Sequence, residues 1–258
     1  MKATLIDTHC HLDAFGDNQA EILLAAQTAG VGHLVIPSVE RGNFAVVTTI
    51  CEQHPNCFPA YGIHPLYTGS ATLEDLTVLR DYLQVHRPVA IGEIGLDFFF
   101  ENQDVAKQEY FFVEQLKLAR EFDLPVLLHT RRATDTVLKH LRQIRVKGGI
   151  AHAFSGSRVQ AEEFIKLGFK LGFGGAMTYD RATRIRDLAA TLPMTSIVLE
   201  TDAPDIPPAF IERGEPNKPE YLARIAQILA ELRGISLAKV AQATTENALH
   251  ALPDLIPL

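Results

Sequence analysis

The chain has 258 residues, 47% of them hydrophobic and 21% charged, with 17 Gly and 14 Pro. These proportions belong to an ordinary globular protein and exclude disordered, collagen-like and low-complexity classes. A formal net charge of −7 argues against a broad basic surface for nucleic acid, but leaves room for a local site where bound cations supply positive charge.

In chain order, short β-type runs alternate with longer helical segments. The pattern predicts strands over Thr4–Thr8, His33–Ile36, Phe58–Gly62, Val89–Gly92, Val126–His129, Ile150–His152, Lys170–Phe173 and Ile197–Glu200. Several are continuous apolar runs, as parallel strands covered on both faces require. After the first strand, NQAEILLAAQTAG offers Asn18 as a helix cap, Glu21 at the capping-box position and Gly30 as terminator. DVAKQEYFFVEQLKLAREF sets Val105, Phe112, Leu116, Ala119 and Phe122 at helical spacing. After the eighth strand, NKPEYLARIAQILAEL offers Asn217 as cap with Glu220 three residues on. Strand starts roughly 20–40 residues apart suit crossovers through helices. The prediction is one α/β domain over 1–258, a (β/α)8 TIM barrel with an appended C-terminal helix around Ser236–Ala248. An open doubly wound sheet would need a Gly-rich phosphate turn after its first strand, where this chain has His-Cys-His.

No apolar run approaches the roughly 18–20 residues of a membrane span. MKATLIDTHCH lacks a signal-peptide apolar core. Cys10, Cys51 and Cys57 are odd in number and form no CxxC pair, which argues against a disulfide framework and fits a reducing cytoplasm. Nothing in the chain marks a membrane association or an obligate protein partner.

The strongest chemical signal is Asp7-Thr8-His9-Cys10-His11. Strand alternation puts His9 and His11 on one face and Cys10 on the other, so two imidazoles can share one cation. Asp7, on the same face, could orient a ring. The bland alternative is a pair of solvated turn histidines. Of the 10 histidines, His9, His11, His64, His129 and His152 fall at or just past C-terminal strand ends, which converge on the mouth of a barrel. His54, His86, His140 and His250 scatter over helices, and His33 opens a strand at the opposite end. Glu93 follows the fourth strand and Asp202 the eighth, although each could be a mere loop or turn acid. Together the histidines and the two carboxylates suit two divalent metal ions, with a carboxylate or water between them. Imidazole leans to Zn²⁺ or Mn²⁺, whereas Mg²⁺ prefers oxygen. Asp202 would then serve as both ligand and proton acceptor for a metal-activated water.

DTHCH, GIHP, GEIGLDF, LPVLLHTRRA, HAFSG and ETDAP run in order from residue 7 to about 205. This set resembles the TatD-type metal-dependent hydrolases, a branch of the amidohydrolase superfamily. With NKPEYL and TTENALHAL the resemblance covers nearly the whole chain. It implies a (β/α)8 barrel with a divalent-metal site. It makes His9 and His11 the first-strand ligands, Glu93 the bridging carboxylate, His129 and His152 the ligands of strands five and six, and Asp202 that of strand eight. It assigns His64 to the substrate pocket and Arg131 to an anion contact, and puts Glu200 behind the ligands. Two departures bear on substrate: Arg132 stands where an acid is frequent, and Pro216 precedes Asn217 where Arg is frequent. The implied activity is hydrolysis of DNA from an end.

Arg131, Arg132 and Arg158 near strand ends could grip phosphate. Phe98, Phe99, Phe100 and Phe154 could stack bases, or simply pack. An alternative is hydrolysis of a small ester, amide, lactone or phosphoester at the same site. A third reading, a non-catalytic metal-binding barrel, sits poorly with a full ligand set. The five prolines between Asp202 and Pro219 predict a stiff, non-helical loop, either a pocket wall or a rigid connector.

Overall fold

The computed structural model describes residues 4–255; Met1–Ala3, part of the segment read above as lacking a signal core, lie outside them. In order, the main elements are β1 (Leu5–Asp7), α1 (Gln19–Thr28), β2 (Val31–Pro37), α2 (Phe44–Gln53), β3 (Cys57–Tyr61), α3 (Leu73–His86), β4 (Ala90–Asp97), α4 (Val105–Glu121), β5 (Val126–Arg131), α5 (Thr134–Gln143), β6 (Gly149–Ala151), α6 (Arg158–Lys166), β7 (Phe169–Phe173), α7 (Thr183–Thr191), β8 (Ile197–Leu199), α8 (Leu222–Arg233) and α9 (Leu237–Ala251). The eight strands are parallel and paired in sequence order, with helices on the outside, giving the predicted (β/α)8 architecture.

The apolar runs divide by alternation into two layers. One set packs outward against the helices, with Leu34, Ile36, Ile91, Val126, Leu128, Leu171 and Ile197 among its buried members. The other set, Ile6, Val35, Ala60, Ala90, Leu127, Ile150 and Val198, forms the packing inside the barrel. Ala248, Ala251, Leu252 and Leu255 join this inner cluster. The helix expected as an appendage therefore continues as a plug for the N-terminal end of the barrel. Burying Leu252 there contributes about 1.5–3 kcal/mol.

β8 closes on β1 through backbone bonds that run past both strand ends. Thr8 N–H donates to Leu199 O (3.2 Å), Asp202 N–H to His9 O (2.8 Å) and His11 N–H to Ala203 O (2.8 Å). Asp7 does not reach an imidazole, as the strand alternation suggests it should. Its buried carboxylate instead accepts from Thr201 N–H (2.9 Å), Thr201 Oγ1–H (2.5 Å) and His9 N–H (3.3 Å). It is a clasp across the seam.

Several local expectations shift. α3 and α6 begin in capping boxes at Thr72 and Ser157, whereas Asn18 precedes α1 without a side-chain cap. Gly30, at φ +92°, does follow the end of α1. Val105 is 41% exposed, because a first-turn residue can match the stripe in spacing yet project beyond the surface it covers. Asn217 is fully buried and caps nothing: its amide donates to the carbonyls of Thr201 (2.7 Å), Asp205 (3.0 Å) and Ile206 (3.1 Å). The proline-rich loop is thereby folded back onto the end of β8. Asn217→Ala leaves those carbonyls unpaired and should cost about 2 kcal/mol, lowering Tm by roughly 4–8 °C in a thermal melt; an unchanged Tm would contradict this account of the loop.

Candidate metal centre

His9 and His11 lie just beyond β1, where the extended chain alternates as predicted: Cys10 between them is fully buried in the outer apolar layer. Glu93 lies inside β4, not after it. The β4–β5 register shifts between Ile91 and Ile94, a bulge-like irregularity that re-aims Glu93 into the mouth. Gly95 permits the close approach of β4 and β5, since a Cβ there would fall 1.9 Å from His129 O. His129 is on β5, His152 directly follows β6, and Asp202 follows β8 with φ +59°, in the left-handed region.

These segments bring all six predicted ligands together. Around one point, His9 Nε2 lies 3.3 Å from His11 Nε2, 3.1 Å from Glu93 Oε2 and 3.5 Å from Asp202 Oδ1. His11 Nε2 lies 3.6 Å from both carboxylate oxygens. Four donors around a cation with ~2.0–2.2 Å bonds would be separated by about 3.3–3.6 Å, and these separations lie close to that range; His152 also comes within reach of His9 and Asp202. The other oxygen, Glu93 Oε1, lies 3.0 Å from His129 Nδ1 and 2.7 Å from His152 Nε2, which are themselves 3.3 Å apart. That second group has three donors, all from residues that line the pocket, with His64 beside them. Ring nitrogens converging at 3.3 Å need a cation or a proton between them, and both kinds fit the donor set. His9 Nδ1 and His152 Nδ1 are buried without hydrogen-bond partners.

Burial and charge work against each other here. Burial alone would raise the Glu93 carboxyl, but the imidazoles of His152, His9 and His64 hold it well below the usual range. Burial lowers His9 to about 4, aided by the charge on His152. For His11 and His152 the same burial is outweighed by Glu93, which lifts them to about 9 and about 10. Without a metal ion, protons on these two rings balance the carboxylate. Behind these groups, burial raises Asp7 to about 7 and Glu200 to about 8. Glu200 Oε1 lies 3.8 Å from His152 Nδ1, in space left by Gly172.

The mouth opens into a pocket of about 560 Å³ whose lining includes His64, Arg131, Thr130, Asp205 and Ile206. His64 Nδ1 accepts from Leu66 N–H (3.2 Å), so Nε2 carries the ring proton; it lies 3.6 Å from Glu93 Oε1, too far for a hydrogen bond. Arg131 stacks over Phe99, 3.6 Å from its centroid, with Arg132 on the same ring at 4.7 Å. Asp205 and Ile206 make the proline-rich loop a wall of the pocket. Other candidates do not join the site. Arg158 is taken by Asp187 and Thr191 on the surface. Phe154 is buried against Phe164, and Phe98 packs on the core.

Sequence reasoning missed Asp97. It is fully buried, accepts from His129 Nε2–H at 3.0 Å and from Phe99 N–H at 2.9 Å, and so fixes which nitrogen of His129 faces Glu93. Its signal was its even spacing from Glu93, with both residues inside β4.

A sequence profile of the family described as TatD related DNase matches residues 6–253. The uncharacterized metal-dependent hydrolase YjjV of Escherichia coli (strain K12) is 43% identical over 254 residues, spanning 96% of this chain and 97% of YjjV. The uncharacterized metal-dependent hydrolase YabD of Bacillus subtilis (strain 168) is 33% identical over 248 residues, 95% of this chain and 97% of its own. The crystal structure of YjjV, a TatD homolog, matches with a TM-score of 0.95 at 40% identity over 100% of both chains. A TatD family hydrolase from Entamoeba histolytica shares the fold, with a TM-score of 0.83 at 20% identity over 98% of this chain and 99% of its own. Barrel, mouth and sequence together place the chain in the TatD-related family of metal-dependent hydrolases.

Proposed function

We propose that this protein is a divalent-metal-dependent phosphodiesterase that removes nucleotides from the ends of DNA. The observation carrying this reading is that the two oxygens of one buried carboxylate, Glu93, face two separate donor groups beside an arginine in the same pocket. His9, His11, Asp202 and Glu93 Oε2 would hold one ion, and His129, His152 and Glu93 Oε1 the other. Bound there, the pair would supply Lewis acidity, easing deprotonation of a water and screening phosphate charge.

The chain's own groups do the rest. Asp202, partly open to the pocket, accepts the proton of the attacking water. Arg131, held flat by Phe99, grips a phosphate oxygen, and the Nε2–H of His64 donates to a second. Leu66, Ile185 and Ile206 wall the other side of the pocket. Its volume lies within the range of about 300–1,000 Å³ typical of small-molecule sites, which suits a terminal nucleotide better than a stretch of duplex.

A second reading has its own support. Apart from its histidines, the pocket lining contains no aromatic ring, and the net charge is −7, so a small ester, amide, lactone or phosphoester would need nothing beyond the pocket. A non-catalytic barrel ranks last because six imidazoles and acids able to serve as ligands gather at the mouth.

The test is release of nucleotides from end-labelled single-stranded DNA with Mg²⁺, Mn²⁺ or Zn²⁺, beside a screen of small esters. Wild type should release nucleotides, chelation should abolish release, and elemental analysis should find about two ions per chain. Glu93→Ala should lower kcat by about 10³-fold or more. Turnover of small esters alone would move the assignment to the second reading. Asp97→Ala should weaken metal binding by about 10–100-fold in a calorimetric titration, with Asp97→Asn in between; identical metal isotherms would remove Asp97 from the site.

A further inference from the structure

Beside the metal pocket lies a second concavity of about 510 Å³, whose lining includes Tyr179, Arg181, Pro207, Glu212 and Arg213. It is built by the loops after β7 and β8. The two cavities share a wall one residue thick in sequence, since Ile206 lines the metal pocket and Pro207 the hollow. Arg184, after β7, donates to the carbonyl of Ser155, which lines the metal pocket (2.9 Å).

Two features set this hollow apart from ordinary surface. Some arginines are held by acids: Arg41 by Glu74 and Asp75, Arg80 by Glu121, Arg142 by Glu163 and Arg158 by Asp187. Among the described residues, no ion pair engages Arg181 or Arg213. An arginine outside any ion pair signifies little by itself, since Arg87, Arg120, Arg145 and Arg224 also have none; what distinguishes Arg181 and Arg213 is that both line one concavity next to the metal pocket. The second feature is a fixed ring. Tyr179 donates its hydroxyl to Pro207 O (2.9 Å), and Arg181 lies 5.3 Å from the ring centroid. A locked aromatic with free guanidinium groups beside it is what an unpaired nucleotide needs, a stacking platform with a phosphate grip.

We propose that the Tyr179–Arg181–Arg213 hollow binds the single strand next to the nucleotide being removed, so that DNA leaves the metal pocket over the Ile206–Pro207 wall. This rests on the DNA-end reading above. Glu212 also lines the hollow, so it offers two positive charges against one negative. That balance suits a phosphodiester with its single charge better than a multiply charged phosphate group. Duplex would need a broad basic face, which a chain of net charge −7 does not offer. Arg131 and Arg132 on Phe99, from the loop after β4 and the end of β5, supply a positive station on the other side of the mouth.

The experiment compares wild type with the double variant Arg181→Ala/Arg213→Ala on a single-stranded decamer, a dinucleotide and bis(p-nitrophenyl) phosphate. Both side chains are exposed, and circular dichroism checks folding. The variant should raise KM for the decamer about tenfold or more, and flatten the dependence of log KM on log salt by about 1.4. Its kcat/KM on the two short substrates should stay within about twofold of wild type, as expected for contacts beyond the reacting phosphate. Decamer binding by fluorescence anisotropy in chelator should weaken in parallel. An unchanged decamer KM, or an equal loss on all three substrates, overturns the hollow while leaving the DNA reading intact. A wild type that hydrolyses bis(p-nitrophenyl) phosphate but neither cleaves nor binds the decamer overturns both.

Discussion

The site depends on one topological demand, that the first and last strands of a parallel barrel must meet. Nothing local holds His9 and His11 near Asp202; the chain between them is the whole barrel. The seam does it, through backbone bonds from His11 to Ala203 and from Asp202 to His9, and through the Asp7 carboxylate on Thr201. Asp7 sits where water cannot help it, so its hydrogen bonds to Thr201 and His9 must replace solvation. One donor group thus belongs to the closure of the barrel, and the other to its far side.

Glu93 joins the two halves. A bulge halfway along β4 aims it across the mouth, where each oxygen meets imidazoles from different strands. Burial penalises a lone carboxylate, and here surrounding rings more than compensate. The same balance explains why the centre is an attractive place for cations: the acids are fixed in place, and either protons or metal must neutralise them.

The sequence made the strands legible because parallel strands covered on both faces read as apolar runs, and it made the cluster at the mouth legible because histidine gathered at their C-terminal ends. What it hid was hidden for definite reasons. Gly92 looked like the end of β4, so Asp97 fell outside the strand on which its even spacing from Glu93 would have counted. Asn217 has the chemistry of a helix cap, and only tertiary structure decides that it serves loop carbonyls instead. The apolar stripe of α9 announces a buried face without saying that the helix and the turn after it seal the underside of the barrel. Arg158 stands at a strand-to-helix junction, as expected, but its acidic neighbour on α7 is invisible in one dimension.

The clasp between Asp7 and Thr201 spans 194 positions. A ribosome must therefore have delivered some four-fifths of the polypeptide before this clasp can form. Contacts this remote in sequence are slow to form and are rewarded only late. A nascent or truncated product lacking β8 would lack both Asp202 and the seam bonds that set His9 and His11 beside it, so that side of the mouth could be assembled only with the completed fold.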